Sequence, residues 1–336
     1  MSPAIERLMY EDGQITRRNL LLALGALVMA PRVMAQSSKP PIVTRRLNNV
    51  MISVSEMERS LEFYQKLFGT PVKQGDVAIF RIGDGPHFFA ISEAKSGARP
   101  GFNSYGMTID DFDPVKLVKI LSDLGVQGAQ VTTREGTPEL WVPDPDSIKI
   151  QLQDVAYGHG SGSRGEVLPP APKEGAKPAF QLRSISHVTL TVTDGPRSKE
   201  FYQKIFGLPV QAMQASFAAL AVGSGPDEIG INTAANNPNA TAGINHVCFT
   251  IQNFDPNRVM GILADNGLEP IEYGISALIK PLTCRTRLRQ RQDNGGGPTY
   301  PLGTPELYLN DPDNLTLQIQ DVKYCGGSGS LGQICP

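Results

Sequence analysis

Only four histidines occur in the 336 residues, and two of them open similar alternating stretches. His187-Val188-Thr189-Leu190-Thr191-Val192 and His246-Val247-Cys248-Phe249-Thr250-Ile251 each put apolar residues on one face and the histidine with small residues on the other. A third run sets Leu315, Leu317 and Ile319 against Thr316, Gln318 and Gln320. Helices covering the aliphatic faces would leave His187, His246 and Gln318 on open concave faces. Two imidazoles and an amide oxygen suit a divalent metal ion: iron, zinc or manganese. An amide supplies a dipole where a carboxylate supplies charge, so such a set holds the ion more weakly and leaves it more electrophilic. The alternative for the same residues is a pair of hydrogen-bonded histidines without metal. His87, before an apolar run, and His159, among glycines and serines, are expected on the surface or in packing.

The strands that carry these residues belong to a repeat. Glu62-Phe63-Tyr64-Gln65-Lys66-Leu67-Phe68-Gly69 recurs as Glu200-Phe201-Tyr202-Gln203-Lys204-Ile205-Phe206-Gly207, and Thr137-Pro138-Glu139-Leu140-Trp141 as Thr304-Pro305-Glu306-Leu307-Tyr308. An Asp-Pro-Asp follows each of the latter, at 144–146 and 311–313. Each copy is itself two halves, in which an alternating strand leads to a helix that stops at a glycine (Gly69, Gly125, Gly207 and Gly267). Asp113-Pro114 and Asp255-Pro256 read as N-cap and first helical residue. Short strands follow each helix, so the unit is β-α-β-β-β used four times. The fold class is α+β, with helices over one face of mostly antiparallel sheet. The expected organisation is a signal peptide (1–35), a first domain (44–156), a Gly/Pro-rich linker (157–181), a second domain (182–324) with an insertion at about 274–303, and a C-terminal tail (325–336).

With four such modules, the Phe-Tyr-Gln-Lys helix end and the Asp-Pro-Asp turn, residues 45–323 resemble the vicinal oxygen chelate superfamily. That group includes glyoxalase I, bleomycin-resistance proteins and extradiol dioxygenases. The resemblance implies that paired modules close into a cup, with metal ligands His, His and Glu. His187, His246 and Gln318 match those positions, with Gln318 in place of the glutamate. The first domain has Asn49, Ser104 and Gln151 there, which leaves it a scaffold, dimerisation or substrate-covering role. Tyr308, ten residues before Gln318, resembles the dioxygenase signature tyrosine that hydrogen-bonds a substrate oxygen, and is the candidate catalytic residue. Trp141 at the same spot in the first copy points instead to packing. The signature's upstream histidine is missing, with Thr299, Tyr300 and Pro301 in that region, so ring cleavage lacks an evident acid/base group. Glyoxalase I activity is disfavoured by the missing carboxylates. The implied function is a metal-dependent enzyme acting on a small oxygen-bearing substrate that chelates the metal. The alternative is a non-catalytic small-molecule binding or sequestering protein of the bleomycin-resistance type.

Composition sets the remaining bounds. A hydrophobic share of 40%, a charged share of 19% and a net charge of −2 give no support for a nucleic-acid partner or electrostatic membrane adhesion. The expected partner is a small molecule, and a second copy of the chain is allowed. Arg17-Arg18 before the apolar run Leu20 to Ala30, with Val33-Met34-Ala35 after it, describes a signal peptide cut before Gln36. The run is short for a lasting membrane span. Paired arginines resemble a twin-arginine signal, an ordinary secretory signal being the alternative, and either implies a periplasmic or secreted bacterial protein. In an oxidising compartment, Cys325 and Cys335 flank a Gly/Ser-rich loop that a disulfide would close. Cys248 is expected to be a buried, inert thiol, and Cys284 has no assigned role. Arg285, Arg287, Arg289 and Arg291 would share one side of an extended segment, as a solvated edge in the favoured reading or as an attractor for an anionic substrate.

Overall fold

The computed structural model describes residues 39–170, 175, 177–214, 216–234, 241–289 and 302–335, so the expected signal peptide lies outside the described residues. Four β-α-β-β-β modules follow one another. The first is β1 (Thr44–Val54), α1 (Met57–Phe68), β2 (Val72–Gln74), β3 (Val77–Arg81) and β4 (Phe88–Glu93). The second is β5 (Gly101–Ile109), α2 (Pro114–Asp123), β6 (Gln130–Arg134), β7 (Thr137–Pro143) and β8 (Lys149–Asp154). The third is β9 (Leu182–Val192), α3 (Gly195–Phe206), β10 (Val210–Gln214), β11 (Phe217–Ala221) and β12 (Glu228–Thr233). The fourth is β13 (Gly243–Ile251), α4 (Pro256–Asp265), the two-residue β14 (Glu269–Pro270), β15 (Thr283–Arg289), β16 (Thr304–Asn310) and β17 (Thr316–Asp321).

Modules pair into two curled sheets, ordered β2-β3-β4-β1-β5-β8-β7-β6 and β10-β11-β12-β9-β13-β17-β16-β15-β14. The first strands of paired modules lie side by side at the centre of each sheet; β9 and β13 carry His187 and His246, while Gln318 is on β17 and Tyr308 on β16. Helix starts follow the local chemistry. The Asp113 carboxylate accepts from Val115 N and Lys116 N, and that of Asp255 from Arg258 N, each before a proline. Gly207 adopts the left-handed conformation past α3, whereas Gly69 has positive φ with extended ψ.

The repeated motifs meet each other across the domain boundary. Tyr64 of α1 donates to Asp311 at 2.8 Å, and Tyr202 of α3 donates to Asp144 at 3.1 Å. Each Phe-Tyr-Gln-Lys helix thus grips the Asp-Pro-Asp turn of the other domain. One hydrophobic core runs through both domains, with Phe68 and Phe89 edge-on to Phe249 at 5.7 and 5.4 Å.

Two segments depart from the expected layout. Residues 157–167 do not behave as a linker: Tyr157 is buried, and Ser161 pairs with Val167 to form a compact loop across the first sheet. The expected tail repeats it. Tyr157-Gly158-His159-Gly160-Ser161-Gly162-Ser163-Arg164-Gly165-Glu166-Val167 matches Tyr324-Cys325-Gly326-Gly327-Ser328-Gly329-Ser330-Leu331-Gly332-Gln333-Ile334, where Ser328 pairs with Ile334. Thr137 donates to Gly162 O at 2.6 Å, and Thr304 to Gly329 O at 2.7 Å. Glycine is required here by close approach: a Cβ on Gly160 would lie 2.3 Å from Val167 O, so the composition marks a tight loop and not a flexible one. The loop of the second domain is closed by the Cys325–Cys335 disulfide. The expected insertion is also redistributed, because β15 within it is the counterpart of β6.

Candidate functional site

β9, β13 and β17 bring His187, His246 and Gln318 to one place, although His187 and Gln318 are 131 residues apart. Between the histidines the β9–β13 register is unbroken, His246 facing Thr189 and Cys248 facing His187, so the two imidazoles lie diagonally across neighbouring strands. Nε2 of His187 lies 3.3 Å from Nε2 of His246 and 3.1 Å from Oε1 of Gln318. Nδ1 of His246 is 2.8 Å from the side-chain amide oxygen Oδ1 of Asn245, which it meets as donor in the Nδ1–H tautomer, leaving its Nε2 with a bare lone pair. Nδ1 of His187 faces the Ser186 hydroxyl at 3.3 Å and the Glu228 carboxylate at 3.7 Å. With His187 also in the Nδ1–H form, the lone pairs of His246 Nε2 and Gln318 Oε1 both face that of His187 Nε2, a repulsion that a cation would relieve. In the other tautomer His187 bridges the two acceptors with a shared proton.

The geometry fits a cation. Ligand atoms about 2.1 Å from one ion lie roughly 3.0–3.4 Å from each other, the range these separations fall in. The Gln318 amide nitrogen is buried with no hydrogen-bond partner among the described residues, so the side chain forgoes that bond with its oxygen turned to the histidines. Among the described residues no three His, Cys, Asp or Glu side chains cluster as a metal site, because the third donor here is an amide. Burial lowers the His187 pKa to about 4, and burial followed by the neighbouring His187 takes that of His246 well below its ordinary value. Both rings are therefore neutral, the form in which imidazole ligates metal.

Tyr308 stands opposite Gln318 on paired strands, and its ring is 5.5 Å from that of His246. Its hydroxyl donates to Glu306 Oε2 at 2.7 Å. Glu306, which the sequence reading passed over, is the most connected group of the wall. It accepts from Tyr324 at 2.8 Å and pairs with Arg287 at 2.6 Å and Arg289 at 3.2 Å. Burial raises the Glu306 pKa, but the two arginines and two phenols outweigh it and bring it to about 2. A signal was present: alternating arginines in one segment and an alternating glutamate in the next describe facing strands of opposite charge.

The arginine run is therefore no solvated edge. Arg285, Arg287 and Arg289 turn into the cup, held by Asn310, Glu306 and Gln214. Arg291 lies outside the described residues. His87 and His159 are buried packing residues, His159 lying edge-on to Phe88 at 5.4 Å. Cys248 and Cys284 are both buried free thiols.

The first cup is closed at the matching point. Asn49 donates to Gln151 at 3.0 Å and to Asn48 at 2.9 Å, and a Cβ on Gly106 would lie 2.2 Å from the Asn49 amide. Ser104 offers a buried hydroxyl in place of an imidazole.

Comparison with known proteins agrees with this architecture. A glyoxalase of Novosphingobium aromaticivorans, solved with Mn(II) bound, superposes with a TM-score of 0.57 at 16% identity, covering 82% of this chain and 82% of its own. A variant of homoprotocatechuate 2,3-dioxygenase from Brevibacterium fuscum gives 0.55 at 16% identity, covering 83% of this chain and 72% of its own. The 2,3-dioxygenase LapB of Pseudomonas sp. KL28 gives 0.54 at 15%, covering 83% and 92%. No curated protein matches the chain in sequence. Residues 46–152 and 184–257 match one family model, and the chain belongs to the glyoxalase/bleomycin resistance protein/dioxygenase superfamily.

Proposed function

We propose that the protein is a metal-dependent enzyme whose second cup holds one divalent ion through His187, His246 and Gln318. The observation that carries this reading is that Nε2 of the neutral His187 lies 3.3 Å from Nε2 of the neutral His246 and 3.1 Å from Oε1 of Gln318. The superfamily and the Mn(II) bound in one structural neighbour support it. A bound divalent cation would supply Lewis acidity toward a substrate oxygen. The substrate is then a small molecule presenting neighbouring oxygens.

The chain's own residues supply the rest. Tyr308 forms the wall beside His246 and is the candidate to contact a substrate oxygen, with Glu306 fixing its hydroxyl. Tyr324 and the loop after it close the cup from below His187, ring to ring at 5.7 Å. Export as a periplasmic or secreted protein is part of the same proposal. The signal-like N-terminus and the Cys325–Cys335 disulfide support it. Among the described residues no helix is long and apolar enough to cross a membrane.

Elemental analysis tests the reading. Wild-type protein purified from metal-supplemented cells should carry about one divalent ion per chain, and His187→Ala and His246→Ala should lose it. Equal metal content in wild type and both variants, or a metal-free wild type, would overturn it.

A further inference from the structure

The two cups can be compared position by position, because they share one fold and strand register. β15 meets β16 in the register in which β6 meets β7, so the walls align residue for residue. Arg289, Glu306 and Tyr324 correspond to Arg134, Glu139 and Tyr157, and the contacts recur with the residues. The arginine pairs with the glutamate in both cups, and the phenol donates to it at 2.8 and 2.6 Å. What both cups keep is scaffold. Among the wall positions where they part, the second cup has His187 for Asn49, His246 for Ser104, Glu228 for Phe88, Tyr308 for Trp141, Arg285 for Gln130 and Arg287 for Thr132. The cup with the imidazoles thus also holds two guanidinium groups that the other lacks.

Arg287 has a carboxylate partner in Glu306, and Arg285 has none. Its guanidinium donates to the neutral amide oxygen of Asn310 at 2.6 Å and lies 5.4 Å from the Tyr308 ring centroid. Among the described residues no carboxylate is within ion-pair distance of it, and the residue is 8% exposed. A guanidinium stays charged in a protein, and a buried charge without a counter-charge is costly. Such a group is a standing receptor for an anion. The cavity it lines, about 470 Å³, also contains His187, His246 and Tyr308, and its other charged walls are two arginines against Glu228 and Glu306.

We propose that the second cup selects a small ligand bearing a carboxylate, and that Arg285 is the specificity-determining residue that receives it. Tyr308 lies between Arg285 and His246, so one wall runs from the anion end of the cavity to the imidazole end. The fork of Arg285 matches a carboxylate in two parallel hydrogen bonds, an interaction stronger than the single bond to Asn310. This inference rests on the metal-dependent reading for how the ligand's oxygens are held, and adds the charge of its far end.

Calorimetric titration of the full mature, manganese-loaded protein under anaerobic conditions tests it, with 3,4-dihydroxybenzoate and 1,2-dihydroxybenzene as a matched acid and neutral probe. Wild type should bind the acid about ten-fold or more tightly than the neutral diol. Arg285→Gln, which installs the first cup's residue type, should bring the two within about two-fold of each other, and Arg285→Lys should keep most of the preference. Metal content and circular dichroism matching wild type would show that each variant is folded. Equal affinities in wild type, no binding of either probe, or a preference surviving in Arg285→Gln would overturn the proposal. Inorganic phosphate competing better than acetate at equal ionic strength would overturn the carboxylate assignment. The metal reading fails or stands separately: metal lost from His187→Ala beside a wild type without acid preference removes only this inference, and acid preference in a metal-free wild type removes only the other.

Discussion

The Tyr64 hydroxyl donates to the Asp311 carboxylate across the domain boundary, and the Tyr202–Asp144 bond answers it from the other side. All four residues are buried, so the bonds lock the domains where water cannot substitute. Tyr64→Phe should cost about 1–3 kcal/mol, because a buried carboxylate loses a donor and nothing replaces it. Denaturant unfolding with an unchanged m-value would show the loss, and a change under a few tenths of a kcal/mol would deny the bond its role.

Glu306 and Glu139 hold equivalent places under unequal loads. Glu306→Gln leaves two guanidinium groups, Arg287 and Arg289, without the carboxylate both pair with. Its cost should be about 3–5 kcal/mol. Glu139→Gln strands one arginine, Arg134, where Glu306→Gln strands two, and should cost less. Thermal unfolding of both variants checks the ordering.

Gln318→Glu should tighten divalent metal binding, because a charged ligand replaces a dipolar one at the same position. It should also lower catalytic turnover, since added negative charge makes the ion a weaker Lewis acid. Asn49→Ala and Ser104→Ala in the first cup should leave metal content unchanged. Titration calorimetry with Mn(II) or Zn(II) measures the first effect, and looser binding by Gln318→Glu would place that side chain away from the ion.

Asp227 gives a pH dependence with a definite sign. Burial raises its pKa to about 6, against the opposing pull of Arg46 and of Leu47 N, which donates to it at 3.0 Å. The folded state therefore holds this proton more tightly than the unfolded chain. The stabilisation is fully present below about pH 3.9 and is lost as pH rises through 6. Asp227→Asn removes the titration, so the variant should gain on wild type by roughly 1–3 kcal/mol between pH 4 and 7. A stability difference flat across that range would contradict the buried carboxylate.

The two closing loops differ in a way that reduction can expose. The second has its Cys325–Cys335 disulfide, and the first relies on contacts such as His159 Nδ1 with Gln74 Oε1 at 3.1 Å. Cys335→Ser should cost about 2 kcal/mol, near the low end for disulfides, since the loop is short. Peptide mapping without reductant should recover the two cysteines linked, and finding both alkylated as free thiols would remove the bond.

Strand and helix identity were legible because each is encoded inside its own segment. The alternation around His187, His246 and Gln318 fixes which face each side chain occupies, and Asp113-Pro114 and Asp255-Pro256 mark helix starts by local capping. The repeat carried the modular plan for the same reason. What the sequence could not state is which segment meets which. Tyr64 and Asp311 belong to motifs visible as repeats, yet their partnership spans 247 residues and exists only once the domains dock. The Gly/Ser stretches after Tyr157 and Tyr324 read as loose chain by composition, whereas the fold uses their glycines for close backbone approach. The arginines of β15 read as a solvated edge because an alternating charged strand fits either face of a sheet. Only the tertiary structure decided the matter, by placing Glu306 on the neighbouring strand as counter-charge to Arg287 and Arg289 and leaving Arg285 with none among the described residues.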